Sequence, residues 1–124
     1  MKAEPTILIV DDDEDLHTLY GLYLQGESFH ILRAHNGKQA LEILETHKPD
    51  LIVLDMIMPV MDGEEFFVKL RTEKKNDTPV IIASVNEKIP AKLFDLGHIY
   101  ATLKKPFTIE TLVGKIQEAL QLKK

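Results

Sequence analysis

The stretch that decides the fold spans residues 51–63 and reads Leu-Ile-Val-Leu-Asp-Met-Ile-Met-Pro-Val-Met-Asp-Gly. Its first four residues are apolar, and a run of this length indicates a buried strand rather than a helix. The run ends on the carboxylate of Asp55, and the turn formers Pro59 and Asp62-Gly63 follow it. In an open parallel sheet, ligands bind at the carboxyl ends of the strands. We therefore expect Asp55 to lie at a functional edge of the sheet.

The rest of the chain repeats this pattern of a strand followed by an amphipathic helix. Further strands are predicted at residues 7–10, 30–34, 80–83 and, least clearly, 99–103. Helices are predicted at residues 14–25 with an end at Gly26, at 39–47 after an Asn36-Gly37 turn, at 64–73 and 90–96, and from a Thr108 cap to Lys123 and Lys124. Five strand–helix units predict an α/β fold, a doubly wound parallel sheet of five strands with helices on both faces.

Composition limits the classes of function. The 124 residues fit one domain, and the absence of cysteine excludes disulfides and thiolate chemistry. A net charge of −5 argues against a nucleic-acid partner, and no apolar run has the length of a membrane span. The N-terminus lacks the apolar region of a signal peptide. We expect a single cytoplasmic domain over residues 1–124 that binds neither nucleic acid nor membrane.

Four of the predicted strands end on residues that carry chemistry: Asp11 and Asp12, Asp55, Ser84, and Lys105. In a parallel sheet these ends share one edge, which then holds three carboxylates, a hydroxyl and an ammonium. Clustered carboxylates repel one another, so protons or a cation must compensate their charge. Mg²⁺ prefers such oxygen ligands and keeps water positions that a phosphoryl group can fill. A carboxylate nucleophile beside a cation and an ammonium is the equipment for phosphoryl transfer to Asp.

These residues resemble those of response-regulator receiver domains of the CheY-like kind, over essentially the whole chain. The resemblance is carried by four motifs in order: Asp11-Asp12 after Ile-Leu-Ile-Val, Asp55 with Met58-Pro59 and Met61-Asp62-Gly63, Ser84 after an apolar run, and Lys105-Pro106-Phe107. It implies a flavodoxin-like sheet with the strand order 2-1-3-4-5, for which CheY is a standard example.

The resemblance also implies a Mg²⁺ site. Asp12 and Asp55 would bind the ion directly, Asp11 through water, and Ile57 through its backbone carbonyl.

Phosphorylation at Asp55 is the implied function. The phosphoryl group would come from a phosphohistidine on a sensor histidine kinase or a phosphotransfer protein, and Ser84 and Lys105 would hold its oxygens. The Lys105–Pro106 peptide bond is expected to be cis. The domain would act as a switch for an unknown protein target rather than as an enzyme that turns over a metabolite.

Two positions depart from the receiver pattern. Val85 follows Ser84 where a small residue is usual, and its branched side chain is expected to crowd the phosphoryl group and slow attack by water. Thr102 stands three positions before Lys105, where receivers commonly carry an aromatic residue. The usual switch between a hydroxyl and an aromatic side chain is therefore in doubt.

The spacing before Lys105 is also altered. Gly97-His98 lies one residue farther from the lysine than is usual, so we expect an extra residue before the last strand. By strand alternation Tyr100 would share a face with Thr102 and is a possible substitute for the missing aromatic. Judged by its spacing from Gly97, Lys104 is an alternative candidate for the lysine of the receiver pattern. Lys105 is favoured because it directly precedes Pro106.

Simpler interpretations exist for each feature alone. The aspartates before the first helix can serve the helix dipole, and the five histidines show no metal-ligand spacing and are expected to be exposed or hydrogen-bonded. Phe66 and Phe67 are adjacent, so both are not expected to face fully inward.

The sequence also bears on three alternative functions: a phosphatase, a flavin-binding domain and a binding module that is not phosphorylated. An Mg²⁺-dependent phosphatase usually needs a second acid at position 57, which is Ile, and a flavin domain needs a loop after the first strand that is not acidic. A phosphorylation-independent binding module stays open. The sequence does not identify the kinase, the output partner or the oligomeric state, nor whether the chain is part of a larger regulator.

Overall fold

The computed structural model describes residues 4–25, 29–85 and 88–122. In these ranges five strands alternate with five helices: β1 (Thr6–Val10), α1 (Glu14–Gln25), β2 (His30–Ala34), α2 (Gly37–Leu44), β3 (Leu51–Leu54), α3 (Gly63–Thr72), β4 (Val80–Ser84), α4 (Ala91–Leu96), β5 (Ile99–Lys104) and α5 (Ile109–Leu122). The predicted ends at Gly26, Lys123 and Lys124 lie outside the described residues.

The strands form one parallel sheet in the order β2-β1-β3-β4-β5, which confirms the predicted doubly wound topology. The inner strands β1, β3 and β4 are the continuous apolar runs, because a strand covered by helices on both faces has no polar side. The partly polar β2 lies at an edge, in agreement with the strand order that the resemblance implies. Helices α1 and α5 pack on one face of the sheet, and α2, α3 and α4 pack on the other.

The second helix starts and ends earlier than predicted. Asn36 is its N-cap, with the side-chain oxygen accepting a hydrogen bond of 2.8 Å from the backbone N–H of Gln39, so Gly37 belongs to the helix and not to a turn. The helix ends at Leu44. At the last helix the predicted cap is present, since Thr108 Oγ1 accepts from the backbone N–H of Thr111 at 3.1 Å.

The expectation for Phe66 and Phe67 was wrong, because both side chains are fully buried. Helix α3 lies between α2 and α4 on its face of the sheet, so neighbouring helices cover its flanks as well as its inner side. A guanidinium also covers the Phe67 ring, with Arg71 Cζ 4.5 Å from the ring centroid.

The extra residue near the last strand lies inside β5 rather than before it. Val80 pairs with Ile99, but the next residue of β4, Ile81, pairs with Ala101. Tyr100 is therefore a β-bulge, one residue of β5 without a counterpart on β4.

The bulge also overturns the expected position of Tyr100. Its ring packs with Ala101 and Leu103 against the cluster on the α1–α5 face, and its hydroxyl lies 3.5 Å from Glu118 on α5. Thr102 lies beside Ile89 at the opposite face. Strand alternation fails between Tyr100 and Thr102 because the bulge inserts a residue, so Tyr100 does not replace the missing aromatic residue.

Arg71 holds the loop that leads into the bulge. Its guanidinium donates hydrogen bonds to the backbone carbonyls of Asn76, Gly97 and His98 at 2.9, 3.1 and 3.1 Å. Gly97 and His98 both have positive φ angles, 88° and 64°. Burial lowers the pKa of Arg71 to about 10, and Asp77 partly opposes this shift. The chain reversal between α4 and β5 thus depends on one side chain of α3.

We expect Arg71→Met to lower the free energy of unfolding by about 2 kcal/mol, because three carbonyls lose a donor while the apolar stem still covers Phe67. Urea unfolding measures this loss, with Lys38→Met on the exposed surface of α2 as the matched control. Equal unfolding midpoints for Arg71→Met and wild type would show that the clamp contributes nothing.

Candidate functional site

The carboxyl edge of the sheet brings the predicted residues together. Asp11 follows β1 and Asp55 follows β3, and their backbone N–H groups donate to the carbonyls of Ala34 and Val10, which continues the ladder by one residue. Ser84 ends β4, and its carbonyl accepts a hydrogen bond of 2.9 Å from the Lys105 N–H. The register of the sheet therefore fixes the backbone positions of these residues.

Three carboxylates form a cluster at this edge. One oxygen each from Asp11, Asp12 and Asp55 lies within 4.8 Å of the other two, with Asp11 and Asp55 buried and Asp12 exposed. Two ligands of one Mg²⁺ lie at most about 4.2 Å apart, given metal–oxygen distances near 2.1 Å. The donor set fits a hard cation with a small closing movement, or with one carboxylate acting through water. The backbone N–H of Ile57 donates a hydrogen bond of 3.5 Å to Asp55 Oδ1 and so helps to orient this carboxylate.

The ammonium of Lys105 reaches the cluster from β5. Its Nζ lies 2.7 Å from Asp11 Oδ2 and 3.7 Å from Asp55 Oδ2. The neighbouring Lys104 is exposed, so the structure places Lys105 and not its rival at the carboxylates. The Lys105–Pro106 peptide bond is cis, as expected.

Burial raises the pKa of Asp55 to about 6 from an ordinary value of 3.8. The Lys105 ammonium opposes this shift, as does the hydrogen bond from the Ile57 N–H, while the charges of Asp11 and Asp12 add to it. From the sequence, repulsion between the clustered carboxylates was expected to be the reason why one of them keeps a proton. Desolvation is the larger cause, and it follows from the position of Asp55 at the end of a strand that is buried on both faces.

The three aspartates that follow β1 have different roles. Asp13 Oδ1 accepts hydrogen bonds from the backbone N–H groups of Asp15 and Leu16, so Asp13 caps α1. Asp11 and Asp12 lie in the carboxylate cluster. The helix-dipole interpretation thus holds for Asp13 and for the acidic first turn, but not for the whole run.

The loop after Asp55 is shaped by close backbone contact. A Cβ at Gly63 would collide with the backbone carbonyl oxygen of Asp55, so only glycine lets α3 begin this close to the site. Asp62 caps the helix by accepting from the backbone N–H of Glu65 at 2.9 Å. Val60, between them and Asp55, has a φ of 68°, which is unfavourable for a β-branched residue.

Three exposed apolar residues follow the site residues closely in the sequence. Ile57, Val60 and Val85 are all more than half exposed, although they flank the buried Asp55 and Ser84.

His17 is a buried histidine, and one of its two ring nitrogens fulfils the expectation that each histidine is exposed or hydrogen-bonded. Its ring is fully buried, with Nε2 2.6 Å from the backbone carbonyl of Asp11, and its Nδ1 has no partner in the described ranges. The burial of His17 was predictable from the sequence, because His17 shares a helix face with the buried Tyr20 and Leu24. The contact between His17 Nε2 and the Asp11 carbonyl therefore helps to fix the backbone of Asp11 at the start of the site.

Comparison with known proteins places the chain among signalling domains. A family model described as the response regulator receiver domain matches residues 7–117. The response regulator GtcR of Aneurinibacillus migulanus is 36% identical over 117 residues, and the alkaline phosphatase synthesis transcriptional regulatory protein PhoP of Bacillus subtilis is 34% identical over 117. These alignments cover 94% and 93% of this chain but 48% of each relative. The chain spans about half the length of these curated relatives.

Solved structures show the same architecture. The receiver domain of the Francisella response regulator 1452 superposes with a TM-score of 0.87 at 28% identity, covering 98% of this chain and all of that one. The response regulator TrrA of Thermotoga maritima, solved in complex with Mg(2+)-BeF, gives a TM-score of 0.80 at 28% identity, with 94% and 99% covered. Among the described residues, no helix combines the length and apolarity needed to cross a membrane.

The raised pKa of Asp55 predicts a pH dependence of stability in metal-free protein. Because the folded state holds the Asp55 proton up to about pH 6 while the unfolded state releases it near 3.8, the free energy of unfolding falls as the pH rises between these values. The full effect is roughly 3 kcal/mol. Asp55→Asn removes it, so we expect the variant to gain stability over wild type across this window.

Urea unfolding in a chelator at several pH values tests this, with Glu42→Gln on α2 as a control carboxylate outside the cluster. A constant difference between Asp55→Asn and wild type from pH 4 to pH 7 would contradict it.

Proposed function

This chain belongs to the response regulator receiver domain family of two-component signalling, and from that premise we propose that Asp55 is its phosphoryl acceptor. We also propose that residues 1–124 form one receiver domain. The observation that carries the proposal is the convergence of three carboxylates and the Lys105 ammonium at one edge of the sheet.

Mg²⁺ is the cofactor of the proposed reaction. Asp12 and Asp55 would bind it directly, Asp11 through water, and Ile57 through its backbone carbonyl. The ion would supply positive charge to the phosphoryl oxygens during transfer. The spacing of the carboxylate oxygens supports this assignment, since a small closing movement satisfies the cation.

The protein residues act by position and charge. An Asp55 oxygen attacks phosphorus, a bond forms between them, and the bond from phosphorus to the donor imidazole nitrogen breaks, so the imidazole leaves with that electron pair. Lys105 would move from Asp11 and Asp55 onto a phosphoryl oxygen, and the Ser84 hydroxyl would donate to another. The movement of Lys105 is short, because its Nζ already lies 3.7 Å from Asp55 Oδ2.

The partners follow from this chemistry. A sensor histidine kinase or a phosphotransfer protein would provide the phosphohistidine, and the phosphorylated domain would favour an unidentified protein target. The proposal assigns no nucleic-acid contact to this stretch, whose net charge is −5. It also assigns no metabolite turnover, so the domain acts as a switch rather than as an enzyme.

A second candidate is a receiver-like module that binds its partner without phosphorylation. The specific observation in its favour is the altered switch region, where Thr102 replaces an aromatic residue and the bulge turns Tyr100 to the opposite face. Phosphorylation assays separate the two candidates.

We expect the intact protein to gain about 80 Da, the mass of one phosphoryl group, when incubated with acetyl phosphate and Mg²⁺. Intact-mass spectrometry measures this gain, and borohydride trapping locates it on Asp55. Asp55→Asn and a chelator should each abolish the gain, and Lys105→Met should slow it. Asp62→Asn, a carboxamide at a capping position of the same loop, should retain it. Unmodified wild-type protein under these conditions would favour the phosphorylation-independent module.

We expect Val85→Ala to shorten the lifetime of the acyl phosphate about fivefold, as the loss of about 1 kcal/mol of hindrance to water implies. The exposed Val85 adjoins Ser84, so the smaller side chain opens the approach to the phosphoryl group. Decay of the phosphorylated mass with time measures the lifetime, and Val113→Ala on α5 is the control. Equal decay rates for Val85→Ala and wild type would show that Val85 does not hinder the attack of water on the acyl phosphate.

A further inference from the structure

Asp12 is the exposed member of the carboxylate cluster, and it lies in the turn between β1 and α1. An exposed side chain is not held by packing, so the backbone on either side of Asp12 determines where its carboxylate lies. Both neighbours, Asp11 and Asp13, form several hydrogen bonds. One residue binds to both of them, His17, which has no part in the phosphoryl transfer proposed for Asp55.

His17 contacts the two backbone carbonyls that flank Asp12. Its ring Nε2 donates a hydrogen bond of 2.6 Å to the carbonyl oxygen of Asp11, and its backbone N–H donates one of 3.2 Å to the carbonyl oxygen of Asp13. A carbonyl oxygen only accepts, so Nε2 carries a proton in this contact. A single residue of α1 thus fixes the chain on both sides of Asp12.

The place of His17 on α1 suits this contact. Helical side chains point back toward the N-terminus of their helix, so the side chain at position 17 extends over the turn that precedes α1. The position is fully buried on the apolar face of the helix, where Leu or Met would have no donor and Lys or Arg would bring a charge into the core. Imidazole resolves this conflict because it can donate without being charged.

The ring of His35 packs against the ring of His17. The two ring centroids lie 4.6 Å apart with the planes tilted by 46°, and His35 Nε2 lies 2.9 Å from Glu14 Oε2. His35 directly follows β2, so a residue at the edge of the sheet restricts rotation of the His17 ring. This packing favours the one ring orientation that binds Asp11.

We propose that His17 is a positioning residue for Asp12, which holds this carboxylate in place for Mg²⁺ through the two flanking carbonyls. The inference rests on the Mg²⁺ site of the proposed function and adds a residue to it. Without the ring donor, Asp11 keeps its hydrogen bonds from the Asp13 N–H and from Lys105. The cluster therefore persists, but the turn that carries Asp12 becomes looser and the affinity for Mg²⁺ falls.

The matched variants His17→Gln and His17→Met test this on the full chain. The glutamine amide nitrogen reaches about as far as Nε2 and can donate, whereas methionine has a similar length and cannot. Two-dimensional ¹H–¹⁵N NMR titration with Mg²⁺ alone measures the dissociation constant. We expect His17→Met to raise this constant about tenfold, the lower end of the usual effect of residues behind metal ligands, and His17→Gln to stay within about twofold of wild type.

Three further measurements separate positioning from a general loss of stability. Arg71→Met removes the clamp at the amino end of β5, away from the site, and should destabilise the domain without changing the dissociation constant for Mg²⁺. His17→Leu is a second variant without a donor and should match His17→Met. In wild-type protein, long-range ¹H–¹⁵N spectra of the imidazole should show a proton on Nε2 of His17, a measurement that needs no variant.

The proposal is wrong if the variants without a donor bind Mg²⁺ as tightly as wild type, or if His17→Gln weakens binding as much as they do. It is also wrong if Arg71→Met weakens binding equally, or if Nε2 of wild-type His17 carries no proton. Wild-type protein that binds no Mg²⁺ overturns this proposal together with the cofactor assignment. If Mg²⁺ binds but Asp55 gains no phosphoryl mass, the proposed function fails and the role of His17 stands.

Discussion

The structure depends on charge compensation at the carboxyl edge of the sheet, where one ammonium faces three carboxylates. A salt bridge of 2.7 Å ties Lys105 to Asp11, but the longer separation from Asp55 leaves that acid partly uncompensated. Burial raises the pKa of Asp55, the Lys105 ammonium only partly opposes this shift, and the charges of Asp11 and Asp12 add to it. A site held in this state is ready to take up a cation and has one carboxylate whose charge is not neutralised by the protein itself.

The architecture that creates this edge was predictable from the sequence because it depends on local patterns. Buried parallel strands must be apolar on both faces, and amphipathic helices must follow them, so the five units and their polar ends are visible in the chain. Parallel strand direction alone places Asp11, Asp55 and Lys105 at the same edge of the sheet. The strand order was available only through the resemblance to receivers, since local patterns do not state which strands are neighbours.

The features that were missed depend on contacts between residues distant in the sequence. Phe66 and Phe67 are both buried because α2 and α4 cover the flanks of α3, and neither helix is part of the pattern around them. The position of Arg71 at the end of a helix suggests a surface cation, yet two of its three partner carbonyls are 26 and 27 residues away in the sequence. The spacing predicted an extra residue before the last strand, but pairing with β4 shows that this residue is Tyr100, inside β5.

The bulge sets the limits within which this domain can be recombined with its relatives. The register from Ile81 to Ser84 is regular, so a foreign β5 without the extra residue would still deliver its lysine to the carboxylates. The carbonyls of Gly97 and His98 would then be displaced from the guanidinium of Arg71 on α3. A chimera joined between Arg71 and β5 would therefore separate this guanidinium from the turn whose carbonyls it binds.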